Sequence, residues 1–221
     1  MNKSIAHLLS PISEFANQSF WKVFWVVGTL NLFSTLIYNH LVWSDLVYLN
    51  ESGLNSSDQV FIDGSVSRLK VNLIVDILSP LWLLGKAGLV AGLIYIIAYI
   101  IQVEISLKEI TKSILTSYLF IVFGDLIYSL ILLLFDPPLF KIDILHFYPL
   151  SFLSFLNSDS DLNEYYTIWS RINFFQLLFI FSLYYLFRSQ HSLNSKNSLV
   201  LTLSYVFFYG LFLVLWLLFS I

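Results

Sequence analysis

The sequence predicts an all-α, polytopic membrane helix bundle. Three observations carry that expectation: five apolar stretches of bilayer length, a composition of 58% hydrophobic and 11% charged residues, and loop charges that alternate between the two sides. A spanning helix needs roughly 20 mostly apolar residues and must satisfy its backbone polar groups within the segment. Residues 20–43, 78–101, 113–135, 168–187 and 199–221 meet that length. The mean hydropathy of +0.80 and the low charge, against about 25% charged residues in a soluble domain, exclude a water-soluble reading. The stretches and their short connections leave no room for a separate soluble domain, so residues 20–221 are expected to form one five-helix membrane domain.

The segment before the first span, residues 1–19, places Ile5, Leu8, Leu9, Ile12 and Phe15 at helical spacing between polar neighbours. That pattern predicts an amphipathic helix on the inner membrane surface. Pro11, Glu14 and Asn17 interrupt any apolar core, so the segment does not read as a signal peptide. Trp21, Trp25 and Trp43 mark the two ends of the first span, as rings with an apolar body and a polar tip do.

Residues 44–77 form an expected outer loop. Its stretch 50–64 is rich in Asn, Ser, Asp and Gly, a turn-forming and surface-seeking composition. Asp58 and Asp63 lack the alternating acids and closing glutamate of a calcium loop, which leaves a solvated loop. Residues 71–78 either lie at the outer interface or extend the second helix outward. A second outer loop, 136–167, opens on Asp136-Pro137-Pro138, which stops the third helix, and continues through an aromatic run at 146–156 that is too short to span. Tyr165, Tyr166 and Trp169 precede the fourth helix, and Tyr184 and Tyr185 lie where it exits.

Orientation follows from the loops. Lys3 and Lys22 at the first edge, Lys108 and Lys112 in the connection 102–112, and Arg188 with Lys196 in the connection 188–198 mark cytoplasmic segments by the positive-inside bias. The alternate segments carry Asp45, Glu51, Asp58, Asp63 and Asp76, and then Asp136, Asp143, Asp159, Asp161 and Glu164. The N-terminus is therefore expected in the cytoplasm and the C-terminus outside. A net charge of −3 points to neither nucleic acid nor an acidic substrate, and the absence of cysteine removes thiolate chemistry and cysteine-ligated metals.

Polar residues inside the spans are the local anomalies, because a charge at membrane depth costs about 2.5 kcal/mol or more and is usually paired or turned to a cavity. Lys86 lies roughly 12 Å below the outer end of the second span and Asp125 roughly 15 Å below that of the third. Asn173 and Gln176 share one face of the fourth span, and Asn31 sits near the middle of the first. These residues read as a buried pair with interhelical hydrogen bonds, as a hydrophilic pocket open to the outside, or as a Lys86 that snorkels. Gly85, Gly88 and Gly92 give the second helix a packing face, expected to meet a neighbour within the chain. His7, His40, His146 and His191 fall at predicted boundaries and read as interfacial. There is no phosphate loop, metal-binding His pair or nucleophile triad, so neither a cofactor nor enzymatic activity is expected.

Several segments resemble the Yip family, five-span membrane proteins whose eukaryotic members interact with Rab GTPases. Leu8-Leu-Ser-Pro-Ile-Ser-Glu-Phe15 is similar to the stretch before the first span in bacterial relatives. Ser106-Leu-Lys-Glu-Ile-Thr-Lys-Ser-Ile-Leu-Thr-Ser-Tyr118 is similar to the inner connection into the third span. Tyr166-Thr-Ile-Trp169 and Ser195-Lys-Asn-Ser198 are similar to the aromatic start of the fourth helix and the polar turn before the fifth. The resemblance implies a cytoplasmic N-terminus, an outer C-terminus and no catalysis. The outer loops are longer than a minimal member needs, and the N-terminal tail is too short for the cytoplasmic domain of the eukaryotic branch. That argues against Rab-type GTPase binding and for a bacterial inner-membrane relative. Two functions are expected: an accessory or scaffold subunit of a membrane transport or export complex, among lipids and other subunits, or a small transporter or lipid-handling protein that uses the Lys86/Asp125 cluster.

Overall fold

The computed structural model describes residues 3–39, 59–134 and 173–220, and they are helical with no strand among them. Among the described residues six helices follow in order: α1 Lys3–Ala16, α2 Phe20–Ile37, α3 Gln59–Ile100, α4 Leu107–Leu134, α5 Phe174–Ser189 and α6 Ser195–Ser220. Among the described residues three stretches are long and apolar enough to cross a membrane, namely Phe20–Ile37, Leu73–Ile100 and Leu107–Ile131, and α5 is a shorter apolar helix.

Local chemistry sets the helix ends. Ser19 caps α2 by accepting the Lys22 amide at 3.3 Å. Ser106 and Glu109 form a reciprocal capping box on α4: the Ser106 amide and hydroxyl donate to Glu109 Oε2 at 2.8 and 2.7 Å, and the Glu109 amide returns to Ser106 Oγ at 3.2 Å. Asn194 caps α6 through the Asn197 amide at 2.7 Å. The residues 195–198, expected as a turn, are thus the first turn of α6. After α3 the chain turns at Gln102 with φ 56°, while the Val103 amide bonds Ala98 O at 2.9 Å and the Gln102 amide bonds Tyr99 O at 3.1 Å. These are the two bonds of a Schellman stop.

Helix α3 corrects the expected outer loop 44–77. It is 42 residues long and already helical at Gln59, so residues 71–78 extend the second helix, and Asp63 and Gly64 lie in helix rather than in a turn. Nothing between 59 and 79 breaks the ladder, since the first proline is Pro80. That proline has no N–H to give the carbonyl of Asp76 four residues back. Residues 50–58, the loop 136–167, the run 146–156 and the start of the fourth span at 168–172 lie outside the described residues.

The chain groups into two compact units. Unit one holds 1–27, 83–121 and 174–221, and unit two holds 28–82 and 122–173. In unit one, Val23, Phe24 and Val27 of α2, Leu83, Ala87, Ala91, Ile94 and Ala98 of α3, and Ile110, Ile114 and Leu115 of α4 share a core with Phe179, Leu183, Phe187, Leu201 and Tyr205. Phe179 anchors it with Tyr205 at 4.7 Å and Tyr118 edge-on at 6.3 Å. The expected amphipathic helix is present as α1, and it docks on protein: Ala16 is buried and Ile12 packs with Tyr185 and Leu186 of α5. Gln190 Nε2 ties it down by donating to Ser13 O at 2.7 Å and Asn17 Oδ1 at 3.1 Å.

The glycine face of α3 is open among the described residues. A Cβ built on Gly85, Gly88 or Gly92 meets no atom within 4 Å, so these glycines receive no neighbour among the described residues. The close packing on α3 is made by Ala87, Ala91 and Ala98, all buried, one helical face round from the glycines.

The distribution of polarity is inside-out. Ser113, Thr116, Ser117, Ser182 and Ser198 have no exposed surface, whereas Trp82 is 67%, Tyr99 78% and Leu134 84% exposed. Exposed apolar surface on this scale is stable in lipid and unfavourable in water. The chain is an integral membrane protein.

Candidate functional site

Unit two contains an open pocket of about 280 Å³ lined by Asn31, Ser34, Thr35, Tyr38, Asp125, Tyr128 and Ser129. The α2 side contributes positions i, i+3, i+4 and i+7, the last where the helix widens into a π turn at Tyr38 and Asn39. The α4 side contributes i, i+3 and i+4. Each set occupies one helix face, so two polar stripes in otherwise apolar helices line a single opening. Tyr38 and Tyr128 bring their rings to 6.1 Å with 32° between the planes.

Two of the lining hydroxyls commit their protons to their own helix backbone. Thr35 Oγ1 donates to Asn31 O at 2.9 Å and Ser129 Oγ donates to Asp125 O at 2.8 Å. A hydroxyl has one proton and two lone pairs, so both oxygens are left to accept. Next to the π turn, Asn39 Nδ2 donates to Asp76 Oδ1 at 2.7 Å. Asp76 is fully buried although Leu73, Ile74, Val75, Ile77 and Leu78 around it are exposed. Its expected place among solvated outer acids is therefore corrected: α3 turns its apolar side chains outward and the carboxylate inward.

The sequence-derived cluster is divided between the units. Asn31 and Asp125 line the pocket together, and Asn173 belongs to the same unit. Lys86 and Gln176 belong to unit one. There Lys86 is on an exposed face of α3, and Gln176 hydrogen-bonds the Tyr205 hydroxyl. Ser34, Thr35, Tyr38, Tyr128 and Ser129 escape a search for charges. Their signal is the i, i+3, i+4 spacing of polar residues around Asn31 and Asp125.

A second constellation lies in unit one, where the sequence expected only an interfacial histidine. His191 Nε2 is 3.2 Å from Ser113 Oγ, and Nδ1 is 4.0 Å from Glu109 Oε1. The order carboxylate, imidazole, hydroxyl is that of a nucleophile triad. Ser113 has no exposed surface, however, and Glu109 is held as the helix cap, so the group fastens the α5–α6 turn to the start of α4. Burial pushes the His191 imidazole below its ordinary 6.5; Glu109 opposes this and Lys112 adds to it. Among the described residues no group of three His, Cys, Asp or Glu could hold a metal ion.

Fold and site together define the class: a polytopic α-helical membrane protein with a polar pocket in one of its two units. No protein-family model, curated protein or solved structure matches the chain.

Proposed function

We propose that this chain is a non-enzymatic membrane protein of the small-transporter or lipid-handling class, binding a polar solute or a lipid headgroup in the α2–α4 pocket. The observation that carries the reading is the opening itself, seven polar or phenolic side chains facing one space in helices otherwise dressed for lipid. Ionisable side chains within spanning segments mark substrate and ion pathways, and Asp125 stands in this lining. A screen of polar solutes and headgroup analogues by thermal unfolding in detergent tests it. A compound that stabilises the parent protein and not the Tyr38→Leu variant supports the reading, and failure of every solute to bind or cross reconstituted vesicles overturns it.

The open face of α3 favours a second reading, an accessory subunit of a transport or export complex. Gly85, Gly88 and Gly92 leave room for another backbone, as helix partners in membranes use. Purification in mild detergent distinguishes the two: a partner lost on Gly88→Leu supports the subunit reading. Both readings are compatible with a Yip-like bacterial inner-membrane protein of five spans, cytoplasmic N-terminus and outer C-terminus. Reporter fusions check that topology, with a cytoplasmic signal expected at the α5–α6 turn and an outer signal after residue 221.

A further inference from the structure

We infer that unit one carries a binding site for the headgroup of an anionic phospholipid, in which Lys22 and Lys112 close on one phosphate across Gln18. The site stands apart from the α2–α4 pocket and does not depend on it. Three turns meet at this end of the unit. Gln190 of the α5–α6 turn bonds Ser13 and Asn17 beside the α1–α2 turn, and His191 lies against Ser113 and Glu109 at the start of α4. Two stretches of membrane length, Phe20–Ile37 and Leu107–Ile131, both begin here. At 1.5 Å per residue, Lys22 and Lys112 lie within about 8 Å of those starts. That is headgroup depth, since the headgroup layer adds about 5–8 Å to each side of the hydrocarbon core.

Both lysines are anchored on neutral oxygens of one residue. Lys22 Nζ donates to Gln18 Oε1 at 3.0 Å, and Lys112 Nζ donates to the Gln18 carbonyl at 3.5 Å. An ammonium has three N–H donors and each of these bonds uses one, so the pair converges without cancelling its charge. Glu109 shares a helix face with Lys112, but its Oε2 accepts from the Ser106 amide and hydroxyl and its Oε1 stands 4.0 Å from His191 Nδ1. The other acids at this end among the described residues, Glu14 and Glu104, are exposed. Trp21 and Trp25, one turn apart on α2 and flanking Lys22, are each 61% exposed, and such rings sit where acyl chains meet headgroups. Basic pockets between helices at a membrane face take anionic headgroups. A zwitterionic headgroup would bring its own ammonium to a site that already holds two.

Tryptophan emission reads the site. Full-length protein in dodecyl maltoside micelles is titrated with phosphatidylglycerol brominated on its acyl chains, or with phosphatidylcholine brominated in the same way. The quenching that disappears in Trp21→Phe/Trp25→Phe belongs to this site. Half-saturation is expected at about tenfold less phosphatidylglycerol than phosphatidylcholine. Lys22→Gln and Lys112→Gln should each weaken the preference about fivefold. Gln18→Glu, which sets a carboxylate between the ammoniums, should abolish it, and Lys22→Arg/Lys112→Arg should keep it. Lys196→Gln, a charge at the same end but outside the pair, should leave it unchanged. Should a glutamine variant not fold, Gln18→Glu and the arginine pair decide the outcome. Equal half-saturation for the two lipids overturns the inference, as does a loss from Lys196→Gln as large as that from Lys22→Gln, or a preference that survives Gln18→Glu. Displacement of the lipid by free glycerol phosphate at equal concentration assigns the lysines to a soluble phosphate and overturns the lipid reading.

Discussion

Asn39 donates a 2.7 Å hydrogen bond from Nδ2 to Oδ1 of Asp76, tying the π turn after α2 to a fully buried carboxylate in the apolar stretch of α3. Removing one partner of a buried hydrogen bond to a charged group costs about 1–3 kcal/mol. Asn39→Ala is therefore expected to lower the detergent melting temperature clearly. Asp76→Asn, which keeps the shape and a polar contact, should cost less. An Asn39→Ala protein that melts like the parent would show that the bond contributes nothing.

The two faces of α3 should respond in opposite ways to added bulk. At Gly88, where a Cβ meets nothing within 4 Å, alanine relieves the entropic cost of helical glycine, so Gly88→Ala should stabilise by roughly 0.5–1 kcal/mol. Ala91 is fully buried in the unit-one core, and Ala91→Leu should cost about 1–3 kcal/mol by overpacking. Chemical or thermal unfolding of the two variants side by side checks the assignment, and reversed signs would exchange the two faces.

Gln102 occupies the left-handed position of the α3 stop at φ 56°. An L-residue there carries a strain of about 1–2 kcal/mol that glycine lacks. Gln102→Gly is expected to raise stability, whereas Gln102→Val should lower it. Equal melting temperatures for parent, Gly and Val forms would contradict the left-handed turn.

His191 sets a pH dependence. Its folded pKa lies below the ordinary 6.5 because burial disfavours the charged ring, so the unfolded chain binds more protons in the intervening window. The contribution of this residue is fully present above about pH 6.5 and is lost as pH falls through the folded value. Melting curves at pH 8, 6 and 5 should show a decline on acidification that is shallower in His191→Gln. An unchanged pH profile in that variant would mean the imidazole does not titrate differently on folding.

The sequence by itself determined the membrane class, the presence of α1 as an amphipathic helix, and the places where apolar helices run. These are local properties: runs of Leu, Ile, Phe and Val must bury their backbone within a helix wherever lipid surrounds them, and the spacing of Ile12 and Phe15 suffices to give α1 one apolar side. Even the capping box at Ser106 and Glu109 is a short-range pattern.

Only the tertiary structure decided which faces matter. Composition around residues 59–64 reads as loop, yet with no proline before Pro80 the helix continues back to Gln59, beyond the lipid-length apolar run. Small residues on α3 are equivalent in sequence, but the packing chose Ala87, Ala91 and Ala98 and left Gly85, Gly88 and Gly92 open. Asp76 counts as an outer charge until α3 is seen to turn it inward to Asn39. His191 and Ser113 are 78 residues apart in the chain, and only the return of α5 towards the start of α4 places imidazole beside hydroxyl. The polar pocket arises the same way, because side chains of modest polarity such as Ser34, Thr35 and Ser129 acquire meaning when two helix faces meet.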